Sequence, residues 1–148
     1  MTKVQTFTGS KILIQIGNGA DPEVFSHPCL INTSRALQGS VTTVDSVVPD
    51  CADPEAPAWI EREKDSIGYT ITGEGLMHAS DTAAYAAWLK SPLTKNIKAI
   101  VADGDAAGHV FSGAFHLTEF QVGGGRKDKA TGSITLVSDG EVTDAVQA

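Results

Sequence analysis

The feature that most restricts the fold of this chain is a two-residue alternation of apolar and polar side chains that recurs between glycine and proline turns. Residues 11–16, "KILIQI", place three isoleucines on one face and end at the turn signal "GNG". Residues 67–77 and 110–122 show alternation over longer runs. This period is typical of half-buried β-strands, whereas an amphipathic helix needs a period of about 3.6 residues. The chain is therefore predicted to consist mainly of strands.

The predicted fold is mainly β: an antiparallel β-sandwich or barrel of six or seven strands, with one α-helix packed against it. The predicted strands are residues 11–16, 24–32, 37–47, 67–77, 97–102, 110–122 and 133–137. At 148 residues the chain is large enough to bury a core without disulfide staples, and we expect a single domain over residues 1–148. Residues 138–148 contain few apolar side chains and are predicted to form a flexible tail.

Residues 80–90 are the one segment with a convincing helical pattern. Ser80 or Asp81 can cap its first turn, and Pro92 stops it. Aromatic and aliphatic side chains follow one another at helical spacing and predict a stripe that packs on the sheet. The core residues predicted for this helix are Tyr85, Trp88 and Leu89.

Two irregularities are predicted within the strands. Gly73 and Gly75 remove side chains from the strand over residues 67–77, which indicates a bulge or a close approach of another backbone. In residues 110–122 the apolar positions change parity near Thr118 and Glu119. Because a shift of one residue exchanges the two faces of a strand, this predicts a bulge or a strand that changes sheets.

Residues 46–66 interrupt the strand pattern with three prolines and many acids, and we predict a long projecting loop with some hairpin character at its base. One interpretation is a solvated excursion. A docking segment is favoured because such long connections are usually functional and because aromatic anchors are enriched at interfaces. The predicted contact residues are Val48, Asp50, Asp53, Glu55, Trp59, Ile60, Glu61 and Glu63.

The charge of the chain is unevenly distributed. Residues 45–65 contain seven acidic and two basic residues and so supply −5 of the formal net charge of −7. Such acidity argues against a protein that grips a phosphate backbone. The turn "GGGRKDK" instead carries Arg126, Lys127 and Lys129. This turn is either a solvated hairpin tip or a contact for the acidic loop of a neighbouring copy, which would suit head-to-tail association.

No arrangement of residues predicts an enzyme, a metal site or a cofactor. His109 and His116 are seven residues apart and would point to opposite faces of one strand. The turn "DGDAAG" at residues 103–108 lacks the later acidic ligands of a calcium loop. Cys29 and Cys51 fit no metal or redox spacing and are expected to be reduced. We find neither an export signal nor an apolar run long enough to span a membrane, and expect no membrane binding.

The order of these features resembles that of the tail tube (major tail) proteins of long-tailed bacteriophages and related gene transfer agents. The resemblance covers nearly the whole chain: a long acidic loop after the third strand, "YTITGEG" leading to "ASDTAAYAAWLK", then a hairpin and a short tail. It implies a structural virion protein whose copies form hexameric rings, with strands lining a hollow tube for genome passage. In that setting the central helix seals the subunit core from outside, and the loop at residues 46–66 reaches an adjacent subunit.

The resemblance also implies partners and a location. The partners would be further copies of the chain, the tape measure, terminator and distal tail proteins, and DNA in transient, non-specific passage. The protein would reside in the virion tail after assembly in the bacterial host cytoplasm. Two alternatives remain open at this point: another tail or secretion-tube component, such as a terminator, and a monomeric β-sandwich binding module.

Overall fold

Eight antiparallel strands and one α-helix make up the regular structure of the described chain. The structure, a computed structural model, describes residues 3–104 and 108–147. The strands are β1 (Leu13–Gly17), β2 (Phe25–Ser26), β3 (Ser34–Val48), β4 (Trp59–Leu76), β5 (Lys95–Val101), β6 (His109–Gly123), β7 (Thr131–Ser138) and β8 (Thr143–Val146). The helix is α1 (Thr82–Lys90), and short 3₁₀ turns cover Gly9–Lys11 and Ala79–Asp81.

The strands form one curved sheet in the order β2-β1-β5-β6-β7-β4-β3. Strand β6 changes neighbours along its length: its first half pairs with β5 on one edge and β8 on the other, and its second half pairs with β7. The sheet curls until its two ends approach each other, since Arg35 of β3 donates a hydrogen bond of 3.1 Å to the carbonyl of Ile12. The predicted architecture, mainly antiparallel β with one helix, is confirmed.

The hydrophobic core lies inside this curl, between the sheet and α1. Burial of apolar area is the main favourable term in folding, and each fully buried aliphatic side chain contributes roughly 1.5–3 kcal/mol. The largest fully buried side chains come from strands on both sides of the curl and from the segment before β3. They are Phe115, Ile14, Leu30, Ile31, Ile71, Ile97, Ile134 and Leu136.

Helix α1 differs from its prediction at two residues. Tyr85 and Trp88 are buried, but Leu89 is 41% exposed and does not belong to the core. Leu89 follows Tyr85 by four residues but lies about 100° around the helix axis from Trp88, on the side away from the core. Asp81 occupies the N-cap position without making a side-chain cap hydrogen bond, because it already has helical dihedral angles at the end of a 3₁₀ turn.

The segment predicted as a strand over residues 24–32 is strand only at Phe25–Ser26. Pro28 has no N–H to donate to a ladder, and the chain turns after it so that Leu30 and Ile31 enter the core. His27 fixes this turn. Its Nδ1 lies 3.0 Å from the carbonyl oxygen of Ile14 and its Nε2 lies 2.9 Å from that of Ile31.

The loop and the tail were both predicted with too little strand. Strand β3 continues to Val48 and β4 begins at Trp59, so only residues 49–58 connect them without strand structure. The flexible tail predicted over residues 138–148 contains β8, which pairs with the first half of β6. The outer parts of β3 and β4 and the whole of β8 have exposed side chains on both faces, so no alternation of hydrophobicity marked these segments clearly in the sequence.

The irregularity predicted in β6 is confirmed, and the close backbone approach predicted in β4 is confirmed at Gly75, whereas at Gly73 the near neighbour is the side chain of Ile31. The register of β6 against β7 shifts between Leu117 and Glu119. At Gly75 a Cβ atom would collide with the side chain of Asn32 and lie 2.5 Å from the carbonyl oxygen of Leu30. The turn predicted at residues 103–108 lies partly outside the described residues.

Candidate subunit-contact surfaces

A polar face covers the side of β3, β4, β7 and the second half of β6 that lies opposite the core. Paired residues on neighbouring strands share a face, and the registers align these side chains in three rows across the sheet. The rows are Gln38–Thr70–Val137–His116, Ala36–Thr72–Thr135–Glu119 and Ser34–Glu74–Ser133–Gln121. Hydroxyl and amide groups dominate, and the carboxylates of Glu74 and Glu119 supply negative charge. We call this surface the polar face.

The four strands of the polar face have two open edges. In the described part of the chain β3 pairs with β4 alone, and the stretch of β6 after Phe115 pairs with β7 alone. An open edge presents unpaired N–H and C=O groups that can pair with another chain. The molecule therefore exposes one pairing edge on each side of a four-stranded sheet.

The distal part of the β3–β4 hairpin extends beyond the folded body. We call residues 43–64 the arm. The bulge between Thr42 and Thr43 marks its base, and its strand residues are exposed on both faces. An isolated two-stranded hairpin is only marginally stable in water, so we expect that packing against another surface stabilises the arm.

The two sides of the arm carry different side chains. On the side that continues the polar face, Val44, Ser46 and Val48 lie opposite Glu63, Glu61 and Trp59. On the other side Asp45 pairs with Arg62, Oδ1 to Nε 3.2 Å, and Val47 pairs with Ile60. Trp59 is 88% exposed. The predicted loop residues are thus divided between two faces and a tip, and Asp50, Asp53 and Glu55 belong to the exposed tip.

The acidic arm and the basic turn lie at opposite ends of the sheet. We call residues 124–130 the basic turn; all of them are exposed. The turn adjoins the pair Leu76–Thr131 at the end of β4, whereas Trp59 is at the start of β4. At roughly 3.3 Å per residue, the 18 residues of β4 separate the two by about 55 Å. One molecule does not bring the two charged segments together.

A groove, which we call the α1 groove, runs beside α1 on the side of the molecule away from the polar face. One part of about 500 Å³ is lined by Gly17, Asn18, Gly19, Glu23, Ala84, Ala87, Trp88, Ser91, Leu93, Thr94, Lys95 and Asn96. An adjoining part of about 340 Å³ shares Trp88 and Lys95 and extends to Cys29 and Asp81. Most of the exposed lining surface is apolar although half of the lining residues are polar, and Leu93 at its rim is 72% exposed.

The floor of the α1 groove is held by aromatic contacts. The Tyr85 ring packs on Phe120 with centroids 5.5 Å apart, and Lys95 Nζ lies 5.0 Å from the Trp88 ring centroid. Burial, with smaller contributions from Asp81 and Cys29, raises the pKa of Tyr85 to about 12. Tyr85 is therefore neutral at physiological pH. The buried Nε1 of Trp88 has no hydrogen-bond partner among the described residues.

Sequence reasoning missed the polar face and its two open edges. The rows of threonine, serine and glutamine were visible as the polar half of each alternation, but their alignment depends on register, which the sequence alone does not give.

Two histidines of β6 have acidic partners nearby: His109 Nε2 lies 2.6 Å from Asp144 and His116 Nε2 lies 3.2 Å from Asp139. Among residues 3–104 and 108–147 no group of three potential metal ligands occurs. The helix of the described chain is too short to cross a bilayer.

Comparisons with known proteins agree with this geometry. Residues 6–144 match the family model of the phage tail tube protein. A chain from the tail of an empty gene transfer agent particle with C6 symmetry has a TM-score of 0.72 at 17% identity, covering 97% of this chain and 100% of that one. A chain of the anti-feeding prophage baseplate has a TM-score of 0.64 at 12% identity, with 98% of each covered. The SPP1 tail tube gives 0.56 at 9% identity, covering 96% and 80%. No curated protein sequence matches.

Proposed function

Since the chain belongs to the phage tail tube protein family and so has a structural role in a tail, we propose that six copies close into a ring. We further propose that rings stack into the hollow tube through which the genome passes. The observation that carries this proposal is the four-stranded sheet with one open edge on each side. Its two edges differ, so pairing them between copies gives a heterologous, head-to-tail interface. Such an interface closes into a ring when the rotation angle between neighbouring copies is a whole-number fraction of 360°, which is 60° for six copies.

The polar face is suited to the wall of a channel. Facing inward, its rows would offer hydroxyl, amide and carboxylate groups to passing DNA, with Glu74 and Glu119 as the acidic members. Tight binding of DNA depends mainly on lysine and arginine contacts to phosphate. A face that offers carboxylates and hydroxyls lets the duplex slide without being held.

The arm and the basic turn are suited to contacts between stacked rings. They project from opposite ends of the sheet, so copies stacked along the strand direction bring the arm of one toward the turn of the next. The loop and basic-turn residues predicted from the sequence remain the contact residues in this proposal. We infer that Glu61 and Glu63, on the same side of the arm as Trp59, approach Arg126 and Lys127.

The wider assignment follows from this role. We propose that the protein acts without catalysis or cofactors and resides in the virion tail after assembly in the bacterial host cytoplasm. Its partners would be its own copies, the tape measure, terminator and distal tail proteins at the two tube ends, and DNA in transit.

Electron microscopy of the purified protein tests the proposal directly. We expect tubes of constant diameter with six-fold symmetry, formed by the chain alone or after addition of tail-tip components as an initiator. Rings that never stack would indicate a terminator-like role instead. A protein that stays monomeric by light scattering with the initiator present would reject both and leave a monomeric binding module.

A further inference from the structure

We propose that the tip of the arm docks in the α1 groove of a copy in the adjacent ring, with Trp59 as the anchor. This inference rests on the proposed stacked tube and adds to it the surface that receives the arm. It assigns a partner to the most exposed aromatic side chain and to an apolar groove that this chain leaves open.

The first argument is orientation. All copies in a tube are related by rotation about the axis and translation along it, so their polar faces all point toward the channel. The side of the arm that carries Trp59 continues this polar face. An arm that overlaps the next ring without blocking the channel must lie outside that ring. Its Trp59 side then meets the neighbour's outer side, where α1 packs on β6.

The second argument is the match between the tip and the groove. An indole is a large apolar group with one polar N–H, and tryptophan is among the residues enriched at binding hot spots, where partners pack closely and exclude water. The small side chains of Ala84 and Ala87 leave room beside α1 for a large side chain, and Leu93 adds an exposed apolar group at the rim of the groove. Val48 lies opposite Trp59 in the hairpin register, so the two present one apolar patch to the groove.

The third argument is charge. The tip loop carries Asp50, Asp53 and Glu55. On the side of the groove, Lys95 is a lining residue and Lys90 ends α1.

Two carboxylates, Glu23 and Asp81, also line the groove. Glu23 already accepts hydrogen bonds of 2.9 Å from the Gly19 N–H and from Asn96 Nδ2. Asp81 lies at the positive N-terminal end of α1. Both carboxylates are thus partly compensated, and the lysines remain available to an acidic tip.

The two cysteines of the chain provide the test. Cys51 is exposed in the tip loop, and Cys29 is exposed at one end of the α1 groove. Docking brings these thiols of different copies near each other. Assembled tubes treated with a short bis-maleimide should yield covalent multimers at multiples of 15.4 kDa. Cys29→Ser and Cys51→Ser should each abolish the products, since the link needs one cysteine of each kind.

A blocking variant and its matched control complete the experiment. Ala87→Glu places a carboxylate in the groove, whereas Ala83→Glu makes the same change at an exposed position of α1 outside the groove lining. Loss of an anchored tryptophan contact should raise the critical concentration for assembly about tenfold or more for Ala87→Glu. Ala83→Glu should behave like the wild type.

The outcomes separate the two proposals. Tubes whose Cys29–Cys51 links form in the wild type and in Ala83→Glu but are lost in Ala87→Glu support docking in the groove. Normal tubes without these links, or equal behaviour of the two glutamate variants, overturn the docking and leave the tube intact. Absence of any assembly, with the initiator present, overturns the proposed function and the docking with it.

Discussion

At the scale of single residues, Gly75 shows how a missing side chain determines the end of a strand. Asn32 crosses over this glycine: its Nδ2 donates to the carbonyls of Cys29 and Leu76 at 2.7 and 3.1 Å, and its Oδ1 accepts from the Leu76 N–H at 2.9 Å. A Cβ at position 75 would occupy the space of this amide. The strand end, the turn before β3 and the entry to α1 therefore depend on one glycine.

Replacing Gly75 by alanine should lower the free energy of unfolding by about 2–3 kcal/mol, because the new methyl group collides with the backbone carbonyl of the buried Leu30 and displaces the Asn32 amide from its three hydrogen bonds. Urea denaturation of the monomer measures this. Gly123→Ala is the matched control, since a Cβ there has no atom within 4 Å, and it should change the same free energy by less than about 0.5 kcal/mol. Equal effects of the two substitutions would contradict the role given to Asn32.

At the scale of elements, the sequence predicted a strand wherever one side faces the core. The isoleucines of β1 and the alternation in the second half of β4 have buried partners, so their period of two was visible. The parity change in β6 marked its bulge for the same reason. Burial of Tyr85 and Trp88 gave α1 its helical period, but spacing alone did not show that Leu89 lies beyond the stripe.

The second strand of the arm, residues 59–64, and β8 escaped prediction because neither has a buried side within one molecule. Val47 and Val48 are adjacent and belong to opposite faces of the arm, as do their partners Ile60 and Trp59. With no core to select one face, the hydrophobic pattern carries no strand signal. The groove and the polar face were hidden for a different reason: each combines residues from several strands whose register only the fold defines.

Shortening the arm tests whether this element serves assembly alone. Replacing residues 45–62 with Asn-Gly would join Val44 to Glu63, which face each other in the hairpin register. The removed strand side chains are exposed, so the melting temperature of the monomer should change by no more than a few degrees, roughly the effect of 1 kcal/mol. Tube formation, scored by electron microscopy at matched concentration, should be lost. Tubes of normal dimensions from the shortened chain would show that the arm is dispensable.

At the scale of the whole molecule, the separation of charge gives the subunit a direction. The arm contains six acidic and two basic residues and so supplies −4 of the net charge of −7, and the basic turn lies about 55 Å away along the sheet. Like ends of two molecules repel and unlike ends attract, so charge favours one polarity of stacking. Such complementarity determines orientation and association rate more than affinity.

Charge exchange tests this polarity. Glu61→Lys with Glu63→Lys should weaken assembly, because the arm would then carry lysines toward Arg126 and Lys127; Arg126→Glu with Lys127→Glu should weaken it by presenting acids to acids. The chain with all four substitutions keeps the wild-type net charge and restores opposite signs, so it should assemble better than either double variant. Light scattering from low to high salt measures the effect, and the differences among variants should shrink as the Debye length falls from about 30 Å at 0.01 M to about 3 Å at 1 M. If the quadruple variant assembles no better than the double variants, the arm and the basic turn do not meet. The charge separation then serves solubility rather than stacking.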